Sequence, residues 1–229
     1  NPRLDAQVLL SFVLGVNSAY LFTHGADEVP LEKIEMYQRL ITRRARHEPV
    51  AYLTQTKAFY RHDFFVNNHV LIPRPDTELM VDTAIGLVRS DSVFIDIGTG
   101  SGAIAISCAL AGKRPTFAVD IDAGALAVAK HNAENLQASV TFAQGSLFTP
   151  FTEYETPSNH FIITANLPYL TPWQWQALDA DVKEYEPKLA LVGGADGLEL
   201  YDELCVQIKS YLHEVPFRKT NCCKFTNRN

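Results

Sequence analysis

The sequence predicts an α/β protein in which a small α-helical region precedes a doubly wound sheet. From Val93 onward, short apolar runs alternate with stretches of helical character, the pattern of repeated strand–helix units. Before that point, apolar residues recur mostly at helical spacing. The 229 residues, 47% of them hydrophobic, are enough for one sizeable core, or for one core and a small satellite domain.

Two helices are predicted near the amino terminus. The first, over about residues 3–16, ends near Gly15 and has an apolar face made of Leu4, Val8, Leu9, Phe12 and Val13. The second begins at Pro30 and continues to Arg46, before Pro49 prevents further helix. Five cationic side chains lie near the carboxyl end of this second helix. They either interact favourably with the helix dipole or form a basic surface for an acidic or nucleic-acid-bearing partner. These cations are Arg39, Arg43, Arg44, Arg46 and His47.

A hairpin and a proline-rich segment are predicted next. Two β-prone runs, 57–60 and 64–72, surround Arg61-His62-Asp63 and favour a hairpin. Pro73 and Pro75 then impose an extended backbone, and Asp76 or Thr77 can cap a helix that reaches about Val88. This segment either lines a site or is a stiff connector.

The sheet begins with a strand and a glycine-rich loop. The apolar run 93–97 predicts a buried strand, and the loop Gly98-Thr99-Gly100-Ser101-Gly102 leads into a helix over 103–111. Glycines at alternate positions allow a sharp turn and close approach of a ligand, while the helix start offers free N–H groups. The pattern therefore predicts a cofactor loop, although Gly98-x-Gly100-x-x-Ala103 also satisfies the dinucleotide fingerprint.

Later strands supply polar residues at their carboxyl ends. The strand 117–120 ends in Asp120, whose carboxylate can accept hydrogen bonds from both ribose hydroxyls of either NAD or S-adenosylmethionine. Asp122 is expected to cap a helix over 123–135. Strands over 140–143 and 161–165 follow, and the last one delivers Asn166-Leu167-Pro168-Tyr169 to the edge where open α/β sheets bind ligands.

Composition limits the classes of function. The net charge of −6 and the isoelectric point near 5.6 argue against binding nucleic acid mainly through its phosphates, although a local basic face is compatible with them. The sequence contains no apolar run of about 18 residues and no basic-then-apolar leader, so a soluble cytoplasmic protein without membrane association is expected. The four cysteines form no CxxC pair and predict neither a metal site nor a disulfide framework.

Six motifs are distributed along roughly residues 3–212. They are Arg3-Leu-Asp-Ala6, Arg43-Arg44 through Glu48-Pro49, Leu71-Ile-Pro-Arg-Pro-Asp-Thr-Glu78, Asp96-Ile-Gly-Thr-Gly-Ser-Gly102, Asn166-Leu-Pro-Tyr169 and Glu186-Pro through Gly193-Gly-Ala-Asp-Gly-Leu198. Together they resemble the HemK/PrmC family of peptide chain release factor N5-glutamine methyltransferases, which are class I S-adenosylmethionine-dependent enzymes.

The resemblance implies a domain plan and a set of site residues. A substrate-binding helical domain would span 1–55, a hairpin linker 56–75, a Rossmann-like methyltransferase domain 76–212 and an atypical tail 213–229. S-adenosylmethionine would be bound by Asp96, Gly98, Thr99, Gly100, Ser101, Gly102, Asp120, Leu147 and Asn166. The release factor's glutamine would be bound by Asn166, Leu167, Pro168 and Tyr169, with Asn166 and Tyr169 as the catalytic residues.

Three features depart from the family pattern. Leu167 stands where the family usually has proline, but the following Pro168 still favours an extended backbone, so the site is expected to survive. Ser146 replaces an acidic residue near the adenine, which predicts weaker adenine recognition. The tail is locally basic and lacks an alternating strand pattern, so the sheet is expected to be incomplete, through truncation, a foreign reading frame or a short natural variant.

The sequence is also compatible with three other functions. An Asn-Leu-Pro-Tyr segment also resembles that of ribosomal RNA adenine N6-methyltransferases. An NAD-dependent oxidoreductase is compatible with the glycine loop but would leave Asn166 unused. An inactive cofactor- or protein-binding homologue is the non-enzymatic alternative.

Overall fold

A computed structural model describes residues 1–153 and 160–214. The α-helices are α1 (Pro2–Leu14), α2 (Ser18–Thr23), α3 (Leu31–Arg44), α4 (Val50–Thr54), α5 (Glu78–Gly86), α6 (Ala103–Gly112), α7 (Ala123–Asn135), α8 (Pro172–Gln176), α9 (Ala180–Lys183) and α10 (Glu199–Glu214). The strands are β1 (Thr56–Phe59), β2 (His62–Phe65), β3 (Ser92–Ile97), β4 (Thr116–Asp120), β5 (Thr141–Gln144) and β6 (His160–Ala165). Apart from the end of α10, the predicted atypical tail lies outside the described residues.

The amino-terminal helices form a small core of their own. Leu9 and Val13 of α1 pack with Leu40 of α3 and Leu53 of α4, and all four are buried. Gly15 ends α1 with φ of 73°, a left-handed conformation that glycine adopts without steric cost. Both predicted helices are confirmed, whereas α2 and α4 were not predicted because they are too short to show a helical period.

The hairpin is confirmed, but its second strand is shorter than predicted. β1 and β2 pair antiparallel, and the turn between them places Tyr60 and Arg61 at φ of 44° and 70°. The strand prediction over 64–72 was wrong beyond Phe65. There the Asn67 side chain accepts a hydrogen bond from the His69 N–H, and the Val70 N–H donates to the Asn67 carbonyl, so the chain turns.

The proline-rich segment also differs from prediction in its capping. A 3₁₀ turn over Pro75–Thr77 leads into α5, and no side-chain hydrogen bond caps the start of that helix. The expected capping role of Asp76 or Thr77 is therefore wrong, because the turn places the backbone of both residues in helical conformation rather than the extended one that a cap requires. By contrast, the Asp122 carboxylate accepts hydrogen bonds from the N–H groups of Gly124 and Ala125 and caps α7 as predicted.

The main sheet is parallel, with strand order β5-β4-β3-β6. All six residues of β3 are buried because helices cover both faces of the sheet. Phe94 belongs to the core that contains α5 and α6, whereas Val93, Ile95 and Ile97 belong to the core that contains α10. Ile97 pairs with Val119 and Ala165, so the residues that follow three strands meet at one edge.

Ion pairs connect the helical region to the sheet region. Arg44 donates to Asp5 of α1 and to Asp181 of α9, each at 2.8 Å. The Tyr185 hydroxyl donates to the Arg46 carbonyl at 2.6 Å. Part of the predicted cationic cluster therefore makes contacts within the chain.

One further property concerns membranes. Within residues 1–153 and 160–214, no helix combines the length and the apolar character needed to cross a membrane.

Candidate active site

A cavity of about 190 Å³ lies at the carboxyl edge of the sheet, where loops from neighbouring strands converge. The glycine loop lines it, as do residues 120–122, 145–147 and 166–168. The backbone N–H of Gly145 donates to the Asp120 carbonyl at 3.0 Å and joins two of these loops. The cavity therefore lies at the edge where the sequence predicted a ligand site for an open α/β sheet.

The glycine loop takes a conformation that explains its composition. Gly98, Gly100 and Gly102 all have positive φ, of 68°, 55° and 80°. A Cβ at Gly102 would lie 2.8 Å from the Ile106 side chain and 3.2 Å from Cβ of Ala129, so glycine permits α6 and α7 to approach each other. At Gly100 a Cβ would meet nothing within 4 Å, so this position faces open space.

Asp120 holds the glycine loop as well as lining the cavity. Its carboxylate accepts hydrogen bonds from the N–H of Gly100 at 2.8 Å and from the N–H of Asp122 at 3.0 Å. Burial raises the pKa of this carboxyl above its ordinary value, despite the opposing effect of the backbone donors. Each oxygen retains a second lone pair, so the carboxylate can still accept two hydroxyl groups from a ligand.

Asp96 is placed behind the loop rather than in the cavity. The residue is 1% exposed, and its two oxygens accept hydrogen bonds from the hydroxyls of Thr99 and Thr164, both at 2.7 Å. Burial raises the pKa of the carboxyl to about 6, although the two hydroxyl donors oppose the rise. Asp96 does not line the cavity. Its two hydroxyl partners do line cavities, Thr99 the smaller one and Thr164 the larger one.

The Asn166 loop lies between this cavity and a second, larger one. The second cavity, of about 730 Å³, is lined by α5, by β6 and by residues 178–191. Asn166 and Leu167 line both cavities. Pro168 lines only the smaller cavity, while Tyr169, which is 60% exposed, lines only the larger one. A side chain at Asn166 can therefore contact two different ligands at once.

The proline-rich segment lines both cavities. Leu71, Arg74 and Thr77 belong to both linings. Arg74 forms an ion pair with Glu186, whose side chain is 1% exposed and also accepts the N–H of Ile72 at 3.0 Å. Glu186 therefore fixes the segment across 114 residues of sequence. The Glu186-Pro187 motif was recognised in the sequence, but its contact with Arg74 was not.

Residues after the loop also hold it in position, and sequence reasoning missed them. The Tyr201 hydroxyl on α10 donates to the Leu167 carbonyl at 3.2 Å. A Cβ at Gly193 or Gly197 would collide with the carbonyl oxygen of Pro168 or of Tyr169. The signal that could have found these contacts is the Gly-Gly-Ala-Asp-Gly segment, since such glycines mark close backbone approach.

Most of the predicted cofactor residues come together. Gly98, Thr99, Gly100, Ser101, Asp120, Leu147 and Asn166 line the smaller cavity. Leu147 is buried and takes φ of 50°. Gly102 and Asp96 are not in the lining, and both shape it from behind.

Comparison with known proteins identifies the family. A model of the PrmC N-terminal domain matches residues 1–54, and a model of ribosomal protein L11 methyltransferase (PrmA) matches residues 74–167. A Bacillus anthracis protein named release factor glutamine methyltransferase is 36% identical over 214 residues, covering 91% of this chain and 75% of that protein. The chain belongs to the release factor glutamine methyltransferase family. The resemblance indicated by the motifs is confirmed.

Other release factor glutamine methyltransferases match to a similar extent. The Geobacter sulfurreducens protein is 38% identical over 216 residues, covering 93% of this chain and 74% of that protein. These alignments include the helical region and the sheet together. Among solved structures, the hMettl16 catalytic domain in complex with the MAT2A 3′UTR hairpin 6 aligns with a TM-score of 0.48 and 19% identity, over 65% of this chain and 58% of that chain.

Proposed function

We propose that this chain transfers the methyl group of S-adenosylmethionine to the side-chain amide nitrogen, N5, of the glutamine in the Gly-Gly-Gln motif of peptide chain release factors. The observation that carries the proposal is the position of Asn166 between a smaller, glycine-lined cavity and a larger, open one. A methyltransferase needs such a contact point because donor and acceptor must meet at the reacting atoms. Membership of the release factor glutamine methyltransferase family supports the same assignment.

The smaller cavity fits S-adenosylmethionine. The loop Gly98–Gly102 leaves open space at Gly100 for the methionine part, and the Asp120 carboxylate can accept the ribose hydroxyls. Leu147 offers a buried apolar surface to the adenine. When bound, the cofactor supplies a methyl group that is already activated by the sulfonium charge. The chain's own residues therefore need only bind, orient and desolvate the acceptor.

The Asn166–Tyr169 loop can orient an amide. A glutamine amide nitrogen is a poor nucleophile because its lone pair is delocalised into the carbonyl. Asn166 Oδ1 and the Leu167 carbonyl each accept one N–H of the amide, which directs the nitrogen toward the smaller cavity. Tyr169, exposed at the larger cavity, packs against the planar amide. These interactions fix the acceptor's orientation. As the N–C bond forms, the C–S bond of the donor breaks, the thioether S-adenosylhomocysteine is the leaving group, and the displaced amide proton, now strongly acidic, passes to water, so no histidine or carboxylate base in the loop is required.

The domain plan belongs to the proposal. Residues 1–55 contact the release factor, 56–75 link the two parts, and 76–212 carry out methyl transfer. Arg44 supports this plan, because its pairs with Asp5 and Asp181 hold the helical region beside the site. The net charge of −6 fits a protein substrate better than direct nucleic-acid binding, and a cytoplasmic location without membrane association fits a substrate that acts in translation.

One experiment tests the proposal. The purified chain is incubated with isotopically labelled S-adenosylmethionine and a release factor, and the label is located by mass spectrometry of peptides. The expected result is label on the Gly-Gly-Gln glutamine, and none on a matched release factor in which that glutamine is alanine. A parallel reaction with ribosomal RNA provides the contrary outcome, since label on adenine with none on the release factor would refute the proposal.

A further inference from the structure

The Leu167 carbonyl has a partner from outside its loop. The Tyr201 hydroxyl, 34 residues along the chain on α10, donates to this oxygen at 3.2 Å. Tyr201 is half-buried, and burial raises the pKa of its hydroxyl, so it remains a neutral donor at physiological pH. The carbonyl has two lone pairs, of which Tyr201 occupies one.

Tyr201 lines neither cavity, and residues near it in sequence lie close to the Asn166–Tyr169 loop. Leu200, before it, lines the smaller cavity, whereas Tyr201 itself appears in neither lining. Preceding α10, Gly193 lies against the Pro168 carbonyl and Gly197 against the Tyr169 carbonyl, where any Cβ would collide. Residues 193–201 therefore lie close to three successive carbonyls of the loop, and among the described residues the Tyr201 hydroxyl is the only hydroxyl donor to them.

The need for this restraint follows from the residue at position 167. Proline would fix φ of its own backbone through the ring, whereas leucine leaves φ free to vary. The leucine side chain is buried and lies 3.0 Å from where a Cβ of Gly98 would be, so it is held at one end by the glycine loop. Pro168 already confines ψ of Leu167 to the extended region, so φ is the torsion that the leucine leaves free, and a hydrogen bond to the Leu167 carbonyl restrains it.

We propose that Tyr201 is a positioning residue for methyl transfer: by donating to the Leu167 carbonyl, it fixes the peptide plane whose remaining lone pair accepts the target amide. This role rests on the proposed function. It goes beyond that function because it assigns a task to a side chain that touches neither cofactor nor substrate.

Kinetics with two matched variants test the role. Tyr201→Phe removes the hydroxyl and keeps the ring, and it should lower kcat for release factor methylation by between about 2-fold and 10-fold, the range for one ordinary hydrogen bond. The dissociation constant for S-adenosylmethionine, measured by calorimetry, should not change. Tyr211→Phe is the control, because Tyr211 lies on the same helix but packs on Phe148 and Phe161. Equal kcat in the two variants and the parent would overturn the role.

A spectroscopic measurement tests the hydrogen bond without relying on activity. The dipeptide Leu-Pro occurs once in the sequence, so labelling leucine carbonyls with ¹³C and proline with ¹⁵N yields a single carbonyl–nitrogen correlation, that of Leu167. Its ¹³C resonance should move in Tyr201→Phe and stay in place in Tyr211→Phe. An unmoved resonance in Tyr201→Phe overturns the inference even in an active enzyme. A parent chain that methylates no glutamine refutes the proposed function instead, and the positioning role of Tyr201 in methyl transfer with it.

A double-mutant cycle adds the last test. In a Leu167→Pro background the ring supplies the restraint, so Tyr201→Phe should reduce kcat by a smaller factor than in the parent. The same factor in both backgrounds would show that Tyr201 does not act through the backbone of residue 167.

Discussion

The stability of the fold should depend on pH through Asp96, the carboxylate behind the glycine loop. Burial raises its pKa from 3.8 to about 6 in the folded protein. The folded state therefore binds this proton more tightly than the unfolded state. The favourable contribution is fully present below pH 4 and is lost as the pH rises through about 6. The difference between the two pKa values, at about 1.4 kcal/mol per unit, corresponds to about 3 kcal/mol of stability.

Replacing Asp96 with asparagine removes this titration and keeps groups that can bond Thr99 and Thr164. The free energy of unfolding of Asp96→Asn, relative to the parent, should therefore rise by about 2 kcal/mol between pH 4 and pH 7. Urea unfolding followed by circular dichroism at several pH values measures it. Asp63→Asn, at an exposed position of β2, is the control and should show no such trend. A difference that stays constant with pH, or that grows toward acid, would refute the reasoning.

Three further predictions concern the site and its support. Asn166→Ala should reduce the rate of methyl transfer by at least about 100-fold, the scale of one lost transition-state contact. Its affinity for S-adenosylmethionine, measured by calorimetry, should change only a few-fold. A turnover close to that of the parent contradicts the assignment. Asp120→Ala should weaken cofactor affinity about tenfold or more, with a smaller effect on the rate at saturating cofactor; unchanged affinity would exclude Asp120 as the ribose partner. Arg44→Met should lower the free energy of unfolding by about 1 kcal/mol. It should also raise KM for an intact release factor, but not for a short Gly-Gly-Gln peptide. Equal effects on the KM of both substrates would show that the helical region does not position the release factor.

Features that depend only on residues close together in the sequence were predicted correctly. The strands β3 and β4, the helix α7 and its Asp122 cap are set by hydrophobic periodicity and by a local side-chain-to-backbone hydrogen bond. The positive φ angles of the glycine loop likewise follow from residue type. The predicted strand over 64–72 was wrong because a side-chain hydrogen bond competed with strand pairing. The Asn67 side chain accepts the His69 N–H, and the resulting turn ends the strand early.

The sequence by itself therefore determined the family, the order along the chain of the main sheet's strands with α6 and α7, and the loops that are proposed to bear the site. Only the tertiary structure decided how the site is held. Arg44 meets Asp181 across 137 residues, Glu186 meets Ile72 across 114, and Tyr201 meets the Leu167 carbonyl across 34. It also decided that Asp96 lies behind the loop while Asn166 lies between two cavities. Such contacts depend on how helices pack against the sheet, and no local period or propensity encodes that packing.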